Sequence, residues 1–208
     1  SMGQQGFLIN TEDCIGCKAC ELACKDLHSF DIGPRTRRVY EVCGGDWSVD
    51  DVTGVCVPSN VFACAVTFSC GHCDNPACVS VCPTGAHAKD PETGLVTVDA
   101  EVCIGCGSCV EACPYGAPQL VKDEGVVRKC DLCQGLREQG EEPACVALCP
   151  QRALKVGDID ELRAAYGTCA DIQPLPSSEY TSPNIVVVPH RNARMKEDGS
   201  YRMLSLGQ

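Results

Sequence analysis

The sequence has few aromatic residues, no long apolar run and no excess of positive charge. Phe, Trp and Tyr make up 5% of the 208 residues, and the 44% apolar fraction includes 20 cysteines, so we do not expect a large hydrocarbon core. No apolar run approaches the roughly eighteen residues of a membrane-spanning helix, and the first ten residues lack the features of a signal peptide. Lys and Arg number 17 against 28 Asp and Glu, which argues against nucleic acid or an anionic lipid surface as partner.

Cysteine, in contrast, is abundant and regularly spaced. In residues 103–114, CIGCGSCVEACP, two residues separate Cys103 from Cys106 and Cys106 from Cys109, and Cys113 follows after three more with a proline behind it. This is the ligand run of a bacterial-type ferredoxin, whose fourth cysteine binds a second cluster in two-cluster members. The glycines at 105 and 107 allow the backbone to wrap closely around the sulfurs. The run therefore predicts another ligand set elsewhere in the chain.

The same pattern recurs three times. The spacer between the second and third cysteine is two, four or eleven residues in these copies, and three of the four runs end in the form CPxxA. Internal duplication of one cluster-binding unit explains the recurrence. At four ligands for each cubane, sixteen cysteines predict four [4Fe–4S] clusters. The three further runs are Cys14, Cys17, Cys20 and Cys24; Cys70, Cys73, Cys78 and Cys82; and Cys130, Cys133, Cys145 and Cys149.

Two other interpretations of so many cysteines are weaker. A secreted disulfide scaffold is disfavoured because thiols this crowded would form strained bridges. Structural zinc prefers two CxxC pairs separated by a longer loop, and only the run from Cys130 to Cys149 resembles that arrangement. The remaining cysteines, 43, 56, 64 and 169, are interpreted as small buried hydrophobes. A disulfide between Cys43 and Cys56 is the alternative for a complex outside the cytoplasm.

The pairing of the four runs follows from their separation along the chain. The two inner runs lie about thirty residues apart, as in a complete two-cluster ferredoxin, so the outer runs would close around them and keep loop closure short. Sequential pairing is the alternative. The nested scheme gives site A, Cys14, Cys17, Cys20 and Cys149; site B, Cys130, Cys133, Cys145 and Cys24; site C, Cys70, Cys73, Cys78 and Cys113; and site D, Cys103, Cys106, Cys109 and Cys82.

The expected fold class is α+β, with two nested bacterial-ferredoxin-like 2×[4Fe–4S] modules, a linker and an extended C-terminal arm. Short strands are predicted at GFLIN, on both sides of PETG and around Asp123 to Gly125, and a helix at DIDELRAAYG. Two strands joined by a Gly/Asp-rich loop are predicted in the linker, and the apolar run IVVVPH favours an arm laid on a partner over disorder. The predicted segments are 1–34, outer module, first half; 35–68, linker; 69–124, inner module; 125–157, outer module, second half; and 158–208, C-terminal helix and arm.

The three later runs, with RRVYEVCGGDW and SPNIVVVPH, closely resemble the iron–sulfur subunit of dimethyl sulfoxide reductase and related molybdopterin oxidoreductases. The resemblance covers almost the whole chain. It implies nested pairing, four [4Fe–4S] clusters in a line and a molybdopterin catalytic subunit as partner beside the outer module. It also implies a membrane anchor that exchanges electrons with quinone beside the inner module, and hence localisation at a membrane through partner subunits, with no span of the chain's own.

One departure from the family bears on the electron donor. Where relatives commonly read GAMHK, this chain reads Gly85, Ala86, His87, Ala88 and Lys89, with the histidine one position earlier. A soluble electron donor therefore remains an alternative to a quinone. The main alternative function is a polyferredoxin subunit of a hydrogenase or another soluble redox complex. In every case the chain is expected to transfer electrons and not to be an enzyme on its own.

Several residues beside the ligands have two interpretations. Lys18, Lys25 and Lys129 either offset cluster charge or are solvated surface lysines. His72 either donates to a cluster sulfur or is a plain loop residue, while Trp47 and Tyr115 are interpreted as packing groups.

Overall fold

The protein is described from a computed structural model, which covers residues 3–195 and 199–204. Short elements dominate this part of the chain, as expected where many backbone turns surround cysteine loops. The helices are α1 (Ala19–Leu27), α2 (Ala77–Ser80), α3 (Ser108–Ala112), α4 (Gln134–Glu138), α5 (Ala144–Ala147) and α6 (Ile159–Tyr166). The strands are β1 (Gln5–Asn10), β2 (Arg38–Val49), β3 (Cys56–Phe68), β4 (His87–Lys89), β5 (Val96–Val98), β6 (Gln119–Val121), β7 (Val126–Arg128), β8 (Leu154–Asp158), β9 (Ile185–Val188) and β10 (Arg202–Met203).

A three-stranded sheet in the order β8–β1–β9 forms the main core. Strand β1 is the predicted GFLIN strand, and it pairs antiparallel with β8 and parallel with β9. Phe7, Leu8 and Ile9 are each 2% exposed, so the sheet is covered on both faces. One face packs on α6 through Ile159 and Leu162, and the other packs on residues that surround the cysteines. The sheet is therefore the platform on which the cysteine loops stand.

The linker forms a long antiparallel hairpin of β2 and β3. Its turn lies at 50–55, where the Asp50 carboxylate accepts hydrogen bonds from the backbone N–H groups of Val52 and Thr53. The predicted Gly/Asp-rich loop is wrong: Gly44 to Asp46 lie inside β2 as a β-bulge, with Gly45 at φ +123°. Glycine serves here because a Cβ on Gly45 would lie 2.7 Å from the Cα of Val61.

Two small hairpins follow the inner cysteine runs as predicted. Strands β4 and β5 pair on either side of the PETG turn, and β6 and β7 pair around Asp123 to Gly125. The predicted helix at DIDELRAAYG is also confirmed. It is α6, capped by the Asp158 carboxylate, which accepts hydrogen bonds from the N–H groups of Asp160 and Glu161. The mixture of short helices and strands confirms the α+β class.

The C-terminal segment differs from the sequence-based expectation. Residues Ile185 to Val188, interpreted as an arm on a partner, form β9 inside this chain's own sheet, and Val186 and Val187 are 0% and 1% exposed. Apolar strand residues gain most from burial against the chain's own core, and β1 offers a complete unpaired edge. The segment is therefore part of the fold. Residues 196–198 and 205–208 of the predicted arm, and residues 1 and 2 of the predicted outer module, lie outside the described residues.

Candidate metal centres

The four CxxC loops share one backbone feature that is not evident from their sequences. In each loop the residue just before the second cysteine has a positive φ: +68° at Gly16, +43° at His72, +64° at Gly105 and +58° at Leu132. This left-handed residue turns the chain so that two flanking sulfurs can face one point. At Gly105 the close approach is severe, since a Cβ would lie 2.2 Å from the Gly125 carbonyl oxygen. The internal duplication is thus visible in the backbone.

The CPxxA endings repeat a second left-handed turn. Gly85, Gly116 and Arg152, each three residues after the last cysteine of a run, have φ of +70°, +60° and +53°. The run beginning at Cys14 has Lys25 in place of proline, and there α1 continues through Cys24 to Leu27. Proline thus coincides with chain reversal, and its absence with a longer helix.

Site C brings its four cysteines together. Cys70, Cys73, Cys78 and Cys113 line one cavity, with Lys129 and Thr181 also in its wall. Burial raises the pKa of Cys73 to about 11 and that of Cys78 to about 12, and the neighbouring thiols add to both shifts. Thiols that resist ionisation alone become thiolates when they bind metal.

Site A has the same construction as site C. Cys14, Cys17, Cys20 and Cys149 line a second cavity, together with Thr67. Burial raises the pKa of Cys14, and the charges of Cys20, Cys149 and Cys17 raise it further. Cys17 is exposed, whereas Cys20 is buried.

The thiols predicted for sites B and D lie close enough to shift one another's pKa. Burial raises the pKa of Cys133 to about 12 and that of Cys24 to about 11, and in both cases the charges of Cys130 and Cys145 contribute. All four site B cysteines are buried.

At site D, burial raises the pKa of Cys109, and the charges of Cys103, Cys106 and Cys82 act in the same direction. Cys106 is exposed, and its pKa is lowered, chiefly by a hydrogen bond with the Ser108 hydroxyl. The structure thus brings the four cysteines of site A and the four of site C to one cavity each, and it places the thiols predicted for sites B and D within electrostatic range of one another.

Hydroxyl groups beside the sulfurs are the residues that sequence reasoning missed. The side chains of Thr36 and Thr67 lie 3.1 Å and 3.4 Å from the sulfurs of Cys24 and Cys20, and Thr181 donates to the Cys73 sulfur at 3.1 Å. Thr36 and Thr67 precede and end the linker strands, and Thr181 precedes β9, so each comes from a different part of the chain. Only the folded structure brings them to the cysteine loops.

Hydrogen-bond donors near the site C cysteines fit an iron–sulfur cluster. His72 is 1% exposed, and its Nδ1 accepts a hydrogen bond from the Val96 N–H at 3.0 Å, which places the proton on Nε2. That Nε2 has no hydrogen-bond partner among the described residues. Burial, with the charge of Lys129, lowers the pKa of His72 well below its usual value, so the ring is a neutral donor. His72 does not line the site C cavity, but Lys129 and Thr181 do, and these two donors suit a group that accepts hydrogen bonds through sulfide.

The four remaining cysteines have no shared site. Cys43 pairs with Ala63 and Cys56 with Val49, six positions further along β2, so a disulfide between them is sterically impossible. All twenty thiols, every one within the described residues, are free. The Cys169 sulfur donates to the Asp171 carbonyl at 3.4 Å, and Cys64 is half-buried.

The exposure of individual side chains tests the sequence-based interpretations of Tyr115, Trp47 and two of the lysines. Tyr115 is 6% exposed and stacks on Phe68, as predicted for a packing group, whereas the same prediction is wrong for Trp47, which is 68% exposed on the hairpin. Lys18 is exposed, but Lys129 is 6% exposed, so the surface interpretation is wrong for Lys129.

Known proteins resemble this chain in sequence. A family model described as a 4Fe-4S dicluster domain matches residues 61–159, and a 4Fe-4S binding domain matches residues 11–27. The probable anaerobic dimethyl sulfoxide reductase chain YnfG of Escherichia coli K12 is 51% identical over 197 residues, covering 94% of this chain and 93% of that protein. The chain belongs to the family of iron–sulfur subunits of dimethyl sulfoxide reductase.

Two other relatives agree with this family. The B subunit of the anaerobic dimethyl sulfoxide reductase of Escherichia coli K12 is 49% identical over 195 residues, with 94% of this chain and 93% of that protein covered. The thiosulfate reductase electron transfer subunit PhsB of Salmonella typhi is 41% identical over 159 residues, with 76% and 78% covered. The chain is accordingly an electron-transfer subunit and not a catalytic one. Within the described residues, no helix has the length and apolar character needed to cross a membrane.

Proposed function

We propose that this subunit holds four [4Fe–4S] clusters in sites A to D and relays electrons to or from a molybdopterin catalytic subunit. The observation that carries the proposal is that two separate cavities are each lined by four thiols from two cysteine runs, and the mutual effects on pKa among the thiols of sites B and D support two further sets. A bound [4Fe–4S] cluster gains or loses one electron without breaking a bond. The chain's own contribution is to hold the ligands, exclude water and provide hydrogen bonds and charge around them.

The proposed sites adjoin one another in the order A, B, C, D. Helix α1 carries Cys20 of site A and Cys24 of site B. Helix α5 carries Cys145 of site B, and Cys149 of site A follows shortly after its end. Sites C and D are joined similarly through α2 and α3, which pack together. Between sites B and C, Lys129 donates both to the Cys70 sulfur and to the Cys130 carbonyl. Sites A and B belong to the proposed outer module, and sites C and D to the inner module.

The two ends of this order are the places where partners would exchange electrons. Cys17 and Cys106 are exposed cysteines of sites A and D. Beside them, Ile15 and Ile104 are 63% and 64% exposed, which gives each end an apolar surface. We place the molybdopterin subunit at site A and the electron donor at site D, following the order that the family resemblance implies.

The identity of the relatives supports a reductase complex. The relatives at about half identity are subunits of dimethyl sulfoxide reductases, so we propose that this subunit serves such an enzyme and not a hydrogenase. A membrane anchor that passes electrons from quinone is the proposed donor. His87 is 3% exposed, so its ring is not presented at the surface, and a quinone would have to meet other residues near site D.

The first test is metal analysis of anaerobically purified protein. We expect about sixteen iron and sixteen sulfide ions for each chain, with paramagnetic signals after dithionite. Zinc in place of iron, with no signal, would refute the proposal. Co-purification of a molybdenum-containing subunit tests the partner, and capture of a nickel-containing subunit instead would favour a hydrogenase.

The pairing of the runs is tested by double substitution. In the nested scheme Cys17 and Cys149 serve one cluster, so Cys17→Ser and Cys149→Ser together should lose no more iron than the more affected single variant. Cys106→Ser combined with Cys149→Ser should lose the sum of the two single losses. The opposite pattern is what sequential pairing requires, and it would replace the nested scheme.

A further inference from the structure

The described residues contain only two buried basic side chains and no buried carboxylate. Arg37 is 1% exposed and Lys129 is 6% exposed, whereas the other buried polar residues are neutral Gln, Thr, Ser, His or Asn. Neither cation has a salt-bridge partner within the described part of the chain. Burying an unpaired cation is strongly unfavourable. Each side chain therefore needs a nearby anion if it is to stay charged while buried.

Arg37 lies between the thiols of site A and those of site B. Its Nη1 donates to the Thr67 hydroxyl at 3.1 Å, and that hydroxyl lies 3.4 Å from the Cys20 sulfur of site A. Its Nη2 donates to the Ser69 hydroxyl at 3.0 Å, and its guanidinium stacks 4.6 Å from the centre of the Phe7 ring. Because Arg37 uses the acceptor capacity of Thr67, the Thr67 proton remains free to point at Cys20.

The electrostatic environment of Arg37 comes from both sites. Although burial by itself lowers its pKa, the thiols of Cys145, Cys20, Cys130 and Cys24 together raise that pKa. One of these belongs to site A and three belong to site B. The guanidinium is thus held where two ligand sets meet.

Lys129 occupies the corresponding place between sites B and C. Its Nζ lies 3.5 Å from the Cys70 sulfur of site C and donates to the Cys130 carbonyl of site B at 2.9 Å. It also donates to the Val96 carbonyl. Among the described residues, neither Lys129 nor Arg37 hydrogen-bonds a cysteine of site D.

Four thiolates outweigh the positive charge of an iron–sulfur core, so a cluster is an anion that becomes more negative on reduction. A fixed cation nearby stabilises the reduced form more than the oxidised form. We propose that Arg37 and Lys129 are the charge-compensating residues of the internal junctions, Arg37 between sites A and B and Lys129 between sites B and C, and that they raise the reduction potentials of the adjoining clusters. This rests on the proposed ligand sets.

Lys18 provides the matched control. It stands between two site A ligands in sequence, yet it is exposed and lies 3.5 Å from the Glu41 carboxylate. Water and Glu41 screen its charge, so its removal should change a cluster potential little. Lys18 and Lys129, two of the lysines raised as candidates by the sequence, are therefore not equivalent.

The experiment is a redox titration of the cluster-loaded subunit, followed by electron paramagnetic resonance. Arg37→Gln should lower the reduction equilibrium constants of the site A and site B clusters at least tenfold, which is about 59 mV for a one-electron couple. Lys129→Gln should do the same at sites B and C. Signals are assigned with the ligand variants Cys17→Ser, Cys24→Ser, Cys73→Ser and Cys106→Ser. Arg37→Lys, Lys129→Arg and Lys18→Gln should change these constants by less than about threefold.

The iron content distinguishes a failure of the proposed ligand sets from a failure of the proposed role of Arg37 and Lys129. Wild-type protein without about sixteen iron ions would refute the ligand sets themselves, whatever the potentials. With full iron, unchanged potentials in both Gln variants, or an equal shift in all four clusters, would overturn the charge-compensating role. If a Gln variant loses clusters, retention of clusters and potentials by its charge-conserving counterpart supports the role, and loss from both variants assigns the residue to packing and overturns it.

Discussion

The two proposed end sites, A and D, and the two proposed middle sites, B and C, are built from the same loop in different surroundings. At sites A and D the CxxC loop reads CIGC, its second cysteine is exposed, and its left-handed residue is glycine. At sites B and C the left-handed residue is Leu132 or His72, which are 0% and 1% exposed. The end loops are open where the proposed partners would approach, whereas the middle loops add a buried side chain and tolerate the strain of a positive φ.

We expect the middle and end sites to differ most in how much iron and folded protein are lost when one cysteine ligand is replaced. Cys145→Ser removes a thiol that is 4% exposed and whose charge acts on Arg37, so the buried guanidinium would lose part of its compensation. We expect this variant to lose about half or more of its iron and most of its soluble yield, because cluster binding and folding are coupled. The number of iron atoms per chain, measured in anaerobically purified protein, tests the expected loss.

Cys17→Ser is the matched substitution at an end. Its loop is exposed, so we expect loss of about a quarter of the iron or less, with a normal yield of folded protein. Equal losses in the two variants would show that the middle and the ends do not differ in their contribution to folding.

A smaller effect is expected from the loop side chains. Leu132→Ala deletes a fully buried side chain in the site B loop and should lower the free energy of unfolding by about 3 kcal/mol. Ile104→Ala deletes an equally large side chain in the site D loop, where it is 64% exposed, and should change stability by less than about 0.5 kcal/mol. The urea midpoint, followed by the cluster absorbance under anaerobic conditions, measures both. A larger effect at Ile104 would reverse the comparison.

The predictable part of the structure is the part with local signals. The cysteine spacing, the turns at PETG and at Asp123 to Gly125, and the α6 pattern each lie within a short stretch, so the corresponding elements could be predicted from the sequence. The Gly44–Asp46 bulge resembles a loop in the sequence because glycine and aspartate also favour turns. Only the pairing with β3 decides between these outcomes.

The remaining features depend on contacts between distant parts of the chain. The parallel pairing of β9 with β1 joins residues about 178 positions apart, for example Phe7 with Ile185, and no local pattern identifies such a partner. Arg37 lies in the run RTRR, which resembles a solvated basic segment, yet it is buried. The hydroxyls of Thr67 and Thr181 reach the cysteines only because β3 ends, and β9 begins, beside sites A and C.

These hydroxyls allow the finest test of the comparison. Thr181 is 4% exposed and donates to the Cys73 sulfur at 3.1 Å, whereas Thr84 at the site D end is exposed and lies 3.8 Å from the Cys82 sulfur. A hydrogen bond to sulfur stabilises the more negative, reduced state, so Thr181→Val should lower the site C potential. The loss of about 1 kcal/mol corresponds to roughly 40 mV for one electron. Thr84→Val should lower the site D potential by less than about half as much, because water replaces the weaker contact. Redox titrations of the two variants against wild type measure both shifts, and equal shifts would mean that burial does not strengthen the hydrogen bond in the middle of the protein.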